Sequence, residues 1–262
     1  MKPRIAIPIP TSTDLAYNQR SWPQYENAIL RAGGEPVAVP LTLTPAERRD
    51  LIATIDGVLL PGSPADIDPT RYTADIDPAS NPADPARELT DFTLLDDAIH
   101  HGKPVLGICF GVQSMNTWRG GSLVQDITPL PVNHSAGPSV AIAHTALIAK
   151  ESLLGSLVDP AEATEVDTFF RLPINTSHHQ AVSAPGDGLR IVARCPDDGV
   201  IEAVELDPTM FHVEHSAEHA AEHARSQFLL GVQWHPERSY DISPTSRNLF
   251  ARLVHEAGLP RG

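Results

Sequence analysis

Apolar runs the length of a strand alternate, through the first half of the chain, with stretches whose apolar positions recur at helical spacing. Residues 4–8, 35–40, 57–60 and 104–108 read as strands, and 23–32, 45–53 and 85–101 as the helices between them. Those helices are read as opening near Pro23, Pro45 and Pro85, since a proline in the first turn has no N–H to leave unsatisfied. Alternation of this kind predicts a mostly parallel central sheet with helices on both faces. The second half is richer in strands, at 141–149, 189–195, 200–206 and 228–234, and predicts an added antiparallel section, with 243–257 as a closing helix. A single α/β domain over residues 1–262 is the expectation, long enough to bury an adequate core.

Open sheets of this class bind ligands beyond the carboxyl ends of their strands. Gly107-Ile108-Cys109-Phe110-Gly111-Val112-Gln113 falls there, directly after Pro104-Val105-Leu106, and puts a cysteine where a strand turns sharply into a helix. The glycines two positions either side of the thiol let neighbouring backbone pass without Cβ clashes. Such a turn leaves the Phe110 N–H and the first helical N–H groups directed at the reacting centre, where they favour a thiolate and a developing oxyanion. A base for this nucleophile is found far downstream in Gly231-Val232-Gln233-Trp234-His235-Pro236-Glu237. In extended backbone His235 and Glu237 share a face, so the carboxylate can hold the imidazole's tautomer while its other nitrogen meets the thiol. Pro236 marks a strand end. Taken singly, Cys109 reads equally well as a buried small hydrophobe and His235 as a residue that merely ends a strand. Together they spell nucleophile and base.

At these residues the chain resembles the class I glutamine amidotransferase-like superfamily, with its Gly-x-Cys-x-Gly-x-Gln elbow and terminal His-Pro-Glu. Leu59-Leu60-Pro61-Gly62-Ser63-Pro64-Ala65-Asp66 and Gly120-Gly121-Ser122-Leu123-Val124-Gln125-Asp126 are similar to segments of its γ-glutamyl hydrolase branch, the C26 peptidases, to which γ-glutamyl-γ-aminobutyrate hydrolases belong. Asn175-Thr176-Ser177-His178-His179-Gln180 is similar to that branch's Asn-Ser-x-His-His-Gln stretch. The resemblance implies a flavodoxin-like fold and a catalytic triad of Cys109, His235 and Glu237. It implies an oxyanion hole from the backbone of Gly62, Ser63 and Phe110, and a substrate pocket touched by Gln113, His178, His179 and Gln180. For Gln113 a buried structural hydrogen bond stands as an equal alternative. Two positions depart from the branch: Ser63 where a second glycine is common, and Phe110 where arginine is common. Both keep a backbone N–H; the second exchanges a fixed charge near the nucleophile for an apolar ring.

Composition narrows the setting. Only Cys109 and Cys195 occur, which points to a reducing compartment, with Cys195 structural at the end of a strand. A net charge of −14, from 33 acidic against 19 basic residues, argues against nucleic-acid or anionic-membrane partners. No run reaches the roughly 18 apolar residues of a membrane span, and residues 1–10 read as a first strand rather than a leader. A cytoplasmic protein with a small-molecule partner is expected, a homodimer being favoured by base rate alone.

The Pro/Asp-rich stretch 61–85 reads as a loop bordering the site. At about 209–226 an Ala-Glu-His repeat interrupts a strand-to-strand connection; His215, His219 and His223 would form one helical stripe, but the low-complexity pattern fits a solvated insertion, and no metal is assigned to it. The leading expectation is a cofactor-free, cysteine-dependent hydrolase of γ-glutamyl amides. Three others stay open: a glutaminase subunit delivering ammonia to a separate synthase, a catalytically silent protein that binds a γ-glutamyl metabolite, and a nickel or zinc carrier built on the repeat.

Overall fold

In a computed structural model the residues described are 1–73, 75–127, 131–209 and 227–260. The expected His/Glu-rich insertion lies, from residue 210 on, outside them. Ten strands form one sheet in the order β2-β1-β3-β4-β12-β11-β10-β6-β8-β7. The first five are parallel: β2 (Glu35–Val39), β1 (Arg4–Pro8), β3 (Gly57–Leu60), β4 (Val105–Ile108) and β12 (Leu229–Val232). From β12 outward every pairing is antiparallel, through β11 (Ile201–Leu206), β10 (Leu189–Arg194), β6 (His144–Ala149), β8 (Phe169–Ile174) and β7 (Thr164–Val166). A separate ribbon pairs β5 (Ser122–Val124) with β9 (Ala181–Ala184).

The central parallel strands β3, β4 and β12 are buried on both faces, as their near-continuous apolar sequences require. Alternation within β1 sends Ile5 and Ile7 to the face covered by α1 (Leu15–Arg31) and α5 (Pro244–Ala257), where they meet Ile29, Leu249 and Phe250. Ala6 faces the other way, toward the layer of α2 (Pro45–Ile52), α3 (Pro85–His100) and α4 (Phe110–Trp118), with Ile52, Leu94 and Phe110. Among the described residues no helix is long and apolar enough to cross a membrane.

One helix boundary corrects the sequence reading. α1 begins eight residues before Pro23, at an Asp14 cap whose carboxylate accepts from the Tyr17 N–H at 2.8 Å. Pro23 is thus inside the helix, and the carbonyl it cannot serve, that of Gln19, belongs to an exposed residue that water can satisfy. At Pro45 and Pro85 the expectation holds: each proline is the first helical residue, capped by Thr44 and Asp84 respectively. Asp84 also accepts from Thr11 and Ser12, binding the start of α3 to the end of the first strand.

α4 crosses the sheet so closely that glycine is required where it passes β3. A Cβ on Gly111 would stand 2.2 Å from the Leu60 carbonyl oxygen, a backbone atom that cannot swing aside. Gly111→Ala is therefore expected to destabilise the fold by about 3 kcal/mol, the upper end of the overpacking range, and urea denaturation of the purified variant measures it.

Candidate active site

Strand order assembles the site. β3, β4 and β12 are neighbours, so the loop beginning at Pro61, the cysteine after Ile108 and the segment after Val232 all leave the same edge side by side. Cys109 sits between β4 and α4 at φ 52°, ψ −106°, a left-handed conformation costly to any residue with a side chain. Its N–H donates to the Val232 carbonyl at 2.9 Å, and its carbonyl accepts from Val112 and Gln113 as α4 begins. The elbow is therefore pinned on one side to β12 and on the other to its own helix.

His235 lies past the end of β12. Its Nδ1 donates to Glu237 Oε1 at 2.7 Å, with both groups buried. The pairing does not come from strand alternation, as the spacing predicts: β12 ends at Val232, and the two side chains meet across a turn closed by Arg238 N–H to His235 O and Ser239 N–H to Pro236 O. Asn175 holds that turn from the opposite segment, accepting from the His235 N–H at 2.9 Å and donating to its carbonyl at 2.8 Å. Burial works against a charge on His235, but Glu237 and the thiol of Cys109 outweigh it and raise the imidazole to about 9. Burial likewise pushes the Glu237 carboxyl up, and the charge and hydrogen bond of His235 bring it below its ordinary value. His235 Nε2, the nitrogen left for chemistry, is buried without a hydrogen-bond partner.

Gly62 corrects an expectation. Its N–H donates to Tyr25 Oη at 3.0 Å and so is already engaged. A Cβ at Gly62 would be 3.0 Å from His235 Cε1, 3.1 Å from Tyr25 Oη and 3.6 Å from Tyr17 Oη, so the residue is wedged among the imidazole and two phenols. Tyr17, Ser21 and Tyr25 stand at i, i+4 and i+8 of α1. Burial, aided by Cys109, pushes the Tyr17 hydroxyl up to about 12 and keeps it a neutral donor. Tyr17 is absent from the sequence-derived site because a helix read as starting at Pro23 cannot put it on its face, and nothing in the spacing of Tyr25 relates it to Gly62.

The Phe110 ring does not enter a cleft. It is buried among α3 and α4 residues with the Arg87 guanidinium 4.8 Å over its centroid. Arg87 itself is fully buried and donates to Asp91 Oδ1, to Pro10 O at 2.7 Å and to Pro61 O at 2.5 Å, which fixes the loop carrying Gly62 and Ser63. The apolar ring at 110 is thus a packing element beneath the elbow rather than a pocket wall.

Of the four residues expected to touch substrate, three are inside. Gln113 donates to Gln180 O at 3.0 Å and Gln233 Oε1 at 3.3 Å, the structural alternative for this side chain. His178 Nδ1 donates to Gln180 O, and Gln180 Nε2 to Gln125 O. His178 and Gln180 still leave polarity unspent: His178 Nε2 and Gln180 Oε1 are buried without partners, as are Gln233 Nε2 and His235 Nε2. His179 alone of the four reaches solvent, bridging Asp66 at 2.8 Å and Asp126 at 3.1 Å, and the Asp66 hydrogen bond foremost raises it to about 9. It joins the 61–85 loop to the segment after β5.

The peptidase C26 family matches residues 11–237. Gamma-glutamyl-gamma-aminobutyrate hydrolase of Escherichia coli O157:H7 is 32% identical over 240 residues, 88% of this chain and 84% of that protein. A candidate GMP synthase component from Thermoplasma acidophilum superposes with a TM-score of 0.60 at 13% identity, covering 98% of this chain and 94% of the other. PurLQS from Thermotoga maritima superposes at 0.55 and 17% identity, covering 97% and 99%. The two structures share the fold of the chain and carry no more than that.

Proposed function

Because the chain belongs to the peptidase C26 family and is a hydrolase, we propose that it cleaves γ-glutamyl amide bonds of small molecules such as γ-glutamyl-γ-aminobutyrate by way of a thioester on Cys109. The observation that carries the reading is the cysteine at φ 52° beside an imidazole paired at 2.7 Å to a buried carboxylate, each at the end of a neighbouring strand. Such strain at a nucleophile persists only where the surroundings over-determine it.

In this mechanism Cys109 gives its proton to His235 Nε2 and its Sγ attacks the γ-carbonyl carbon. The oxyanion that forms is received by the N–H groups of Phe110 and Ser63, since that of Gly62 is held by Tyr25. His235, protonated through its partnership with Glu237, gives a proton to the amine nitrogen as the C–N bond breaks. Water then attacks the thioester with His235 as base, and glutamate leaves as the thiol is restored. The buried unpartnered atoms of His178, Gln180 and Gln233 are the polar contacts offered to the glutamyl group.

The test is release of glutamate from γ-glutamyl-γ-aminobutyrate, γ-glutamylputrescine and glutamine, with Cys109→Ala as control. Cysteine-dependent release from a γ-glutamyl amine with little from glutamine is expected. Release from glutamine alone would make the chain an amidotransferase subunit, and no acyl-enzyme with any of the three would sink the hydrolytic reading.

A further inference from the structure

A second cluster of chemistry-bearing side chains stands beside the active site and takes no part in the mechanism above. His134 lies in the loop before β6, His144 opens β6, and Glu202 is on β11; all three side chains are buried. Their free atoms converge: His134 Nδ1 is 3.3 Å and His144 Nε2 is 3.5 Å from the same Glu202 oxygen. Neither contact has hydrogen-bond geometry, and both Glu202 oxygens, His134 Nδ1 and His144 Nε2 are left without partners. A carboxylate at zero exposure with no donor on either oxygen is a costly arrangement unless a cation belongs there.

The outer nitrogens of the two rings say what kind of cation. His134 Nε2 donates to Asp198 Oδ2 at 2.9 Å, and His144 Nδ1 is 3.3 Å from the Thr145 carbonyl. Both acceptors lack a proton, so each ring carries a hydrogen on its outer nitrogen; burial lowers His134, but Glu202 and Asp198 outweigh it, and an ion at Glu202 takes the place of the proton on the inner nitrogen. An imidazole whose far nitrogen is fixed by a carboxylate or a backbone carbonyl is the usual state of a metal-ligating histidine. The spacing agrees. Bonds of about 2.0–2.1 Å at tetrahedral angles put neighbouring ligand atoms about 3.3 Å apart, which is where the two nitrogens stand from the Glu202 oxygen.

We propose that His134 Nδ1, His144 Nε2 and the Glu202 carboxylate form a structural site for a divalent transition metal, zinc being the ion that two imidazoles and a carboxylate in tetrahedral array suit. A second group, His134 with Cys195 and Asp198, is close enough to hold an ion on the other side of the same ring. It is the weaker choice because its atoms are spoken for: Asp198 accepts from His134, from the Val200 N–H and from Cys195. Bound at the Glu202 side, the ion would tie the loop at 134 to β11, whose Glu202 carbonyl accepts from Gln233, two residues before His235. That loop in turn holds the 175–180 segment, since His134 O accepts from Thr176 Oγ1 and the His178 N–H.

The experiment uses full-length protein free of any polyhistidine tag, incubated with zinc chloride, dialysed, and assayed for zinc by mass spectrometry. The His215/His219/His223 triple alanine variant separates this site from the Ala-Glu-His repeat. About one zinc per chain is expected in the wild type and in the triple variant, with retention lost in His144→Ala and in Glu202→Gln. Undiminished retention in those two single variants, or no zinc retained by the triple variant, overturns the proposal. Should the single variants fail to fold, cobalt(II) loaded into the triple variant decides. Visible bands of a four-coordinate nitrogen and oxygen site, with a midpoint of unfolding raised by several degrees, support the assignment, and a spectrum of aquated cobalt with no change in unfolding refutes it.

Discussion

Cys109→Gly is expected to abolish turnover while leaving a protein more stable than Cys109→Ala by about 1 kcal/mol or more. Both substitutions remove the sulfur, and with it the nucleophile, so both should lose on the order of 10⁴-fold or more in kcat, by analogy with the loss of a triad nucleophile elsewhere. They differ only in Cβ. At φ 52° and ψ −106° alanine keeps the penalty that cysteine bears, whereas glycine visits such angles freely. The pair therefore separates the chemical role of residue 109 from its conformational cost. Chemical denaturation of the two variants side by side, with glutamate release as the activity readout, is the measurement. Equal stability would mean that the elbow is not strained, and retained activity in either would remove Cys109 from the mechanism.

Glu237→Gln should cost on the order of 10²–10⁴ in kcat/KM and move the alkaline limb of the pH profile toward neutrality. The carboxylate fixes the proton on His235 Nδ1 at 2.7 Å, and an amide in its place can present a donor there and select the wrong tautomer, which in a related triad costs about 10⁴. The sign of the pH effect follows from the folded imidazole's being raised to about 9. Below that value His235 carries the proton that the departing amine needs; as pH rises through it, the proton and the rate are lost together. Burial alone would lower the imidazole, and Glu237 is the foremost group opposing it, so its removal brings the descent to lower pH. Stability follows the same sense on that side: the contribution of His235 is full below the ordinary histidine value and is lost as pH rises through about 9. At the acid end the depressed Glu237 works in reverse, its contribution being present above its ordinary value and lost as pH falls through the folded one. A kcat/KM profile for both proteins decides, and an unmoved alkaline limb would deny Glu237 its part in holding the proton.

The parallel half of the fold was legible because its central strands are sealed between helices and so are apolar throughout, as in Gly57–Leu60 and Val105–Ile108. The outer antiparallel strands carry weaker marks. β8 contains Pro173, which reads against a strand, but β7 pairs β8 only at Phe169, Phe170 and Arg171, so Pro173 lies where that side needs no ladder donor. β5, β7 and β9 are three or four residues long and half exposed, too short for a period to register. At the site, Cys109 and His235 were legible as local motifs. The engagement of Gly62 by Tyr25 was not, because it joins residues on separate elements that no sequence spacing relates. Nor were His134, His144 and Glu202, which have no common spacing and meet only through the sheet.

The pairing of β4 with β12 has a consequence for how this protein is made. Leu106 is hydrogen-bonded alongside Leu230, its partner from the far end of the chain, and the Cys109 amide is anchored on Val232. Closing so long a loop is slow relative to forming the local strand-helix units that precede it. A ribosome-bound chain that has emerged only as far as α4 holds a thiol with neither its anchor nor its base. Reactivity at Cys109 therefore matures only once β12 has been made and has docked, and alkylation by iodoacetamide during refolding would report the arrival of β12 rather than the collapse of the first half of the sheet.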